Sequence, residues 1–391
     1  MLPKPFILLL AIPALAQEHH HHHSNFAGNL LMNQASGTSL NPSSWSMPMV
    51  MARAASWNLM FMGNGFLVDT QQTGPRGGHK LYSSNMLMLG AEHGVGRGSV
   101  MFTTMLSLEP VTVTQRRYPL LFQTGETAYG QPLVDAQHPH NFVMDLGIQY
   151  ARPVGSAIVQ LYYAPAGDPA LGPVAYPHRA SAMELPQAPI SHHWQDSTHI
   201  ATNVVTGAVR YGQFRVEVSG YHGAEPGENR WTINWGGIDS WSTRFSVMPT
   251  ANWLFQVSQG RIADPEHAHA GTVVRTTASA HYTRGNWSSS LIWGRNDELD
   301  SYLAETVWSV ARRNWITGRF ELVQKDELAV EGVHRVGAYT AGYTRDLGVF
   351  GHVQTGIGAN VTAYSIPSEL RASYGAHPAG FNVFLRLRLR S

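Results

Sequence analysis

Three groups of side chains in this chain have the residue types and spacing of metal chemistry. The first is the run His19 to His23. Neutral imidazoles in such a run can hold Zn²⁺, Ni²⁺ or Cu²⁺, and a purification tag or an incidental tract would have the same composition. The second is spread over two stretches: Asp135, His138 and His140 in DAQHPH, then His178, His192, His193, Asp196 and His199 further on. Imidazole and carboxylate ligands brought together from the two could hold copper or zinc, whereas histidines on a surface rim would only be solvated. The third is Met60, Met62, Met86, Met88, Met101 and Met105, preceded at the same alternating spacing by Met47, Met49 and Met51. Thioethers are soft ligands that suit Cu(I). Methionine also fills irregular gaps beneath a segment packed on top of it, and packing is the preferred reading of this group.

Other motifs carry less. Gly94-x-Gly96-x-Gly98 sits between two strand patterns, without the βαβ context that a dinucleotide needs. Lys325 to Leu328 spells a retention signal that is read only at a C-terminus. No Ser/His/Asp set has spacing that argues for a hydrolase. No catalytic residues are expected, and an enzyme stands only as a remote second alternative.

The elements that must position these groups begin with an export signal over residues 1–16. Lys4 supplies the positive end, Phe6 to Ile12 the apolar stretch, and Ala14-Leu15-Ala16 the small residues before a cleavage at Gln17. The apolar run is shorter than the roughly 20 residues that a membrane-spanning helix needs. Residues 17–55 form a His- and Met-rich segment whose composition predicts that it is largely disordered. No later stretch has the length and apolarity of a spanning helix. That leaves strands open, because a transmembrane strand alternates in character and gives no hydropathy peak.

Composition favours such strands. Only 14% of residues are charged, there are 38 Gly, 11 Trp and 15 Tyr, and there is no cysteine to staple a small core. The net charge of +1 gives no reason to expect a nucleic-acid partner. From residue 56 the pattern becomes period-2 alternation in sixteen runs: 56–69, 79–92, 98–109, 141–152, 156–165, 199–211, 213–222, 238–248, 251–261, 271–284, 286–295, 300–312, 314–325, 334–346, 349–362 and 379–390. Splitting the first run at Asn64-Gly65, a hairpin dipeptide, would leave halves too short to span. The count is therefore about 16, within 14 to 18. Every second connection is short (Gly94 to Arg97, Pro153 to Ser156, Gly212, Pro249-Thr250, Gly285, Asn314, Asp346 to Gly348), and the others are mostly long, notably 110–140 and 166–198. The link 296–299 is the weak case. The 22 prolines fall in the signal, the N-terminal segment, the connections or strand edges, as they must if the strands pair on both sides.

Strand parity assigns two faces. In the last run Val383, Leu385, Leu387 and Leu389 alternate with Phe384, Arg386, Arg388 and Arg390. Arginine facing lipid at mid-depth would cost about 2–4 kcal/mol, so the leucines belong in lipid and the arginines inside. The same parity directs Arg215, Glu217, Arg244, Arg275, Arg319, Glu321, Arg386 and Arg388 into a lumen as pore-lining residues. Trp241, Trp253, Trp287, Trp308 and Trp315 lie where an interfacial aromatic girdle would run.

In its signal, even strand count, alternating turn lengths and terminal amphipathic strand, the chain resembles outer-membrane β-barrel proteins of porin type over residues 56–390. The resemblance implies an all-β fold, a transmembrane antiparallel up-and-down barrel over 56–391 with long extracellular loops and short periplasmic turns. It further implies a cell outer-membrane location and contact with outer-membrane lipid and the barrel-assembly machinery. The expected function is passive diffusion of small hydrophilic solutes, without a cofactor and with homo-oligomers as a common assembly. The alternative is binding or transport of copper or zinc through the His-rich loops and the Met wall. One departure is that the chain ends Leu389-Arg390-Ser391, without the terminal aromatic residue of such proteins.

Overall fold

The computed structural model describes residues 26–196, 201–265 and 271–391. The signal over 1–16, the tract His19 to His23 and His199 lie outside the described residues. No helix among the described residues is long and apolar enough to cross a membrane.

All sixteen expected strands are present, with three more. In chain order they are β1 (Val50–Ala54), β2 (Trp57–Gln72), β3 (Gly78–Val95), β4 (Gly98–Leu106), β5 (Tyr118–Ala128), β6 (Gln131–Gln137), β7 (Val143–Val154), β8 (Ala157–Gly167), β9 (Ala201–Tyr211) and β10 (Phe214–His222). There follow β11 (Ser240–Thr250), β12 (Trp253–Ala263), β13 (Thr272–Arg284), β14 (Trp287–Asn296), β15 (Leu299–Val310), β16 (Asn314–Lys325), β17 (His334–Phe350), β18 (Val353–Ser365) and β19 (Ala379–Leu389). Each barrel strand pairs antiparallel with its sequence neighbours, and β4 passes directly to β7. The barrel closes where β19 meets β2, with Val383 opposite Asp69 and Arg388 opposite Asn64. Sixteen strands therefore form a ring with no free edge, the arrangement that satisfies every backbone group in a bilayer.

The added strand β1 follows from that requirement. β19 stops opposite Asn64, and β1 covers the remaining edge of β2, from Val50 opposite Phe61 to Ala54 opposite Trp57. The Asn64-Gly65 pair stays inside the unbroken β2, paired to β3 throughout.

The rims differ as expected. On one rim the connections are two or three residues long, such as 96–97, 212–213 and 285–286. Two boundaries move. The turn expected at Asp346 to Gly348 lies at 351–352, and 346–348 is a register shift within the β17–β18 pair. Asp346 points inward there, accepting hydrogen bonds from Gln354 Nε2 at 2.9 Å and Trp315 Nε1 at 3.1 Å. The weak link proves to be a two-residue turn, 297–298, on the long-loop rim. At the short-turn rim Trp287 pairs opposite Trp308, and Tyr282 bridges Trp253 and Trp287 at ring-centroid distances of 4.7 and 5.2 Å.

The two faces separate by parity. In β19, Leu385 is 46% exposed and Arg386 0%. The outside carries Val216, Val257, Leu291, Ile316 and Val361, all exposed. Apolar outside and polar inside inverts the soluble pattern and matches a barrel in lipid.

The interior is filled. Composition predicted that the segment before the barrel would be largely disordered. Residues 26–41 instead sit in the lumen, opening with helix α1 (Phe26–Met32), with Ala27, Leu30, Leu31 and Ala35 buried. The polar residues that read as disorder find partners in the wall: Gln34 donates to Gln160 at 3.1 Å, and Arg215 donates to the Thr38 carbonyl at 2.9 Å. The 110–140 connection carries the hairpin β5–β6, whose two-residue turn has both Tyr129 and Gly130 at positive φ. Positive φ at both central residues is the hallmark of a type I′ hairpin. The 166–196 segment is buried almost throughout and held by wall hydrogen bonds, among them Gly172 N to Ser258 at 2.8 Å.

Candidate functional site

The eight residues assigned to the lumen by parity all point inward and are buried. What they touch is mostly the filling rather than water. Arg244 reaches the Gly172 carbonyl at 3.1 Å, Arg319 that of Gln187 at 3.1 Å, and Arg275 that of Asp196 at 2.8 Å. Glu321 accepts from Ser191 Oγ at 2.7 Å. Glu217 holds the wall arginines Arg215 and Arg244, at 3.2 and 2.8 Å. From the filling, Glu184 pairs with Arg386 at 2.6 Å and Arg388 at 2.9 Å, and Arg179 pairs with Glu305. Buried charges are tolerable only when so paired.

The methionines divide by position. Met60, Met62, Met88, Met101 and Met105 are buried and Met86 partly so, in one cluster with Ala27, Leu30, Leu31 and Leu40. Met62, Met88 and Met105 stand opposite one another across three strands. They share the apolar cluster that holds Ala27, Leu30 and Leu31 of α1, the gap-filling role suited to an unbranched thioether chain. Met105 also meets a histidine: its Sδ lies 3.1 Å from His178 Nε2.

The loop histidines do converge. β6 ends at Gln137, so His138 follows the hairpin directly. A short helix α2 (Glu109–Thr112) follows β4, and His192 and His193 open a second short helix, α3 (His192–Gln195). Their rings approach to centroid distances of 6.2 Å (His138–His192), 5.7 Å (His138–His193) and 4.0 Å (His192–His193). Wall glycine Gly294 sets this position. A Cβ there would stand 2.1 Å from the Trp194 carbonyl oxygen, so only glycine lets α3 lie flat on β14. His192 Nε2 is 3.0 Å from Gln137 Oε1 and 2.9 Å from Gln123 Nε2.

His140 and His178 line a cavity beside this cluster, together with His192, Asp196, Asp168 and Met144. Burial by itself disfavours the His140 imidazolium, but the Glu109 carboxylate at 2.9 Å outweighs it and holds His140 above its usual range. For His178, burial together with the nearby His140 charge pushes the value down to about 4. Burial pushes Asp196 up to about 6, against the pull of Arg179. Asp135 stands apart from the histidines, bonded to Arg76, the Phe122 amide and the Tyr374 hydroxyl.

A pH dependence follows from His178. A base with a depressed folded value takes up protons more readily when unfolded. Its contribution is full above the ordinary value of 6.5 and is lost as pH falls to about 4. The stability of the wild type relative to His178→Gln is thus expected to decline across that window in urea titrations of the detergent-folded protein. A pH-independent difference would refute it.

Sequence reasoning missed Glu109, Glu126, Arg179, Glu184 and Glu305 as lumen residues. Arg230 was missed too; it pairs with Glu126 from the 223–239 connection. The first four lie in or beside connections, where parity says nothing. Glu305 lies on β15 with its side chain inward, and parity applied to that strand would have found it.

No protein-family model matches the chain, and no curated protein matches it. Solved structures do. The anion-selective porin from Comamonas acidovorans superposes with a TM-score of 0.54 at 12% identity, covering 85% of this chain and 100% of that one. OmpF of Salmonella typhi, solved in complex with daunomycin, superposes with a TM-score of 0.54 at 8% identity, covering 86% and 100%. At such identities the likeness is one of architecture: this chain has the barrel fold of the porins, with its lumen occupied by its own N-terminal segment and two of its own loops.

Proposed function

We propose that this protein is an outer-membrane channel of porin type that is closed at rest and passes small hydrophilic solutes when its filling moves aside. The apolar outer band, the aromatic rim and the porin-like barrel support the membrane location and the channel architecture. The observation that carries the closed state is the bonding of wall arginines to the filling: Arg215 to Thr38, Arg244 to Gly172, Arg319 to Gln187 and Arg386 to Glu184. An open sixteen-strand porin would keep an aqueous channel in that space. Solute selectivity would then come from whichever charges the displaced filling uncovers.

Planar-bilayer recording tests this. The refolded protein is expected to be mostly silent, with rare, brief openings. Large, steady current steps on every insertion would show a freely open pore and remove the closed-state reading. A folded, inserted protein that never conducts under any voltage or pH would remove the channel reading altogether.

A further inference from the structure

Among the described residues one group of titratable side chains offers metal-ligand atoms at coordination spacing. His138, His192 and His193 are buried, and one ligand atom of each lies within 4.8 Å of the others. The set exists only because both long connections fold inward. Tetrahedral coordination with Zn–N bonds of ~2.0–2.1 Å places two nitrogens about 3.3–3.4 Å apart. His138 Nε2 and His193 Nε2 are 3.5 Å apart, so those rings need almost no movement to share an ion.

A second observation points to the same place. Glu126 is buried, and its Oε1, without a hydrogen-bond donor among the described residues, lies 3.2 Å from His138 Nε2. Its other oxygen is held by Arg230. The β5–β6 pairing is irregular here, with a register shift between Thr124 and Thr127 and Glu126 at φ 62°. A buried carboxylate oxygen beside three imidazoles adds a fourth donor of the kind found with zinc and copper. Gln137 and Gln123 both meet His192 at Nε2, so they would serve as outer partners with Nδ1 of that ring as the ligating atom.

We infer that His138, His192 and His193, with the Glu126 carboxylate, bind one divalent first-row cation inside the lumen filling, Cu²⁺ more tightly than Zn²⁺. The order follows the usual stability series for nitrogen and oxygen ligands. The ion would tie the β5–β6 hairpin to α3 and so pin the two loops together. This site goes beyond the channel reading and stands whether or not the lumen conducts.

The test must separate this site from the tract His19 to His23. The full chain with those five histidines replaced by alanine, purified without a metal column, is titrated with Cu²⁺ and followed by electron paramagnetic resonance. One Cu²⁺ per chain with nitrogen hyperfine structure is expected. In His138→Gln/His193→Gln the affinity should fall by more than the ~100-fold that loss of an outer partner can cost. Folding is checked by heat-modifiable gel mobility. Absence of binding in the background protein, or equal binding by the folded double variant, would overturn the inference. His193→Cys covers the case in which the double variant does not fold. The chain has no other cysteine, so a thiolate charge-transfer band on adding Co²⁺ can arise only at that position. A folded His193→Cys protein without the band would also overturn the inference.

Discussion

Glu184→Ala is expected to turn a mostly silent barrel into one with frequent openings in planar bilayers. Glu184 belongs to the filling and is fully buried against two arginines of the last strand, Arg386 at 2.6 Å and Arg388 at 2.9 Å. Removing one partner of a buried pair leaves charge without compensation and typically costs about 3–5 kcal/mol. At 1.4 kcal/mol per tenfold, that is roughly a 10²- to 4 × 10³-fold shift in the closed-to-open ratio if the cost falls on the closed state. It does fall there, because displacement of the filling lets water reach both guanidiniums. Arg386 keeps Asp346 as a partner and Arg388 keeps the Met183 carbonyl at 2.7 Å, so the lower end of the range is the better expectation. Folding of the barrel itself should survive, since the β18–β19 and β19–β2 ladders are untouched. A folded variant as silent as the wild type would show that these pairs do not hold the filling in place.

The second large effect concerns the outer face. Leu385→Arg is expected to destabilise the barrel in lipid vesicles by about 2–4 kcal/mol, the cost of arginine near mid-bilayer. Leu385 is exposed and sits near the middle of β19, one residue from the buried Arg386. The same substitution on a soluble sheet would be nearly neutral or favourable. Folding titrations in lipid vesicles and in detergent check it. Equal stability of variant and wild type in vesicles would mean that this face does not meet lipid.

Much of the barrel was legible because its signal is local. Alternation places each side chain in or out without reference to any other strand, and Pro and Gly mark the turns. The final strand shows this best: Leu-Arg alternation alone predicts the exposure that Leu385 and Arg386 display. The three missed strands have different causes. β1 is five residues long and exists only because β19 falls short of the end of β2. β5 and β6 belong to a separate two-stranded sheet and not to the barrel wall. β5 is buried along almost its whole length and lacks the half-polar pattern by which strands are found.

The filling was illegible for a related reason. Residues 26–41 are rich in Asn, Gln, Ser, Thr and Gly, a composition that cannot bury enough apolar surface on its own to stay ordered. Inside a polar-walled barrel the same side chains find ready-made partners, such as Gln160 and Arg215. Order there is a property of the container.

The metal reading shows the same division. That two loops rich in histidine would meet at one rim was readable from the strand count. Which histidines would meet was not. His138, His192 and His193 come together, His140 goes to Glu109, and Asp135 goes to Arg76. Glu126 had no sequence signal at all. The sequence by itself determined the wall of this protein, meaning strand number, turn rim, inward arginines and outward leucines, because period-2 alternation acts residue by residue. Only the tertiary structure decided that the lumen is filled and which imidazoles share one buried site, because both depend on distances between segments far apart along the chain, 177 residues for Thr38 and Arg215, and no local pattern encodes those distances.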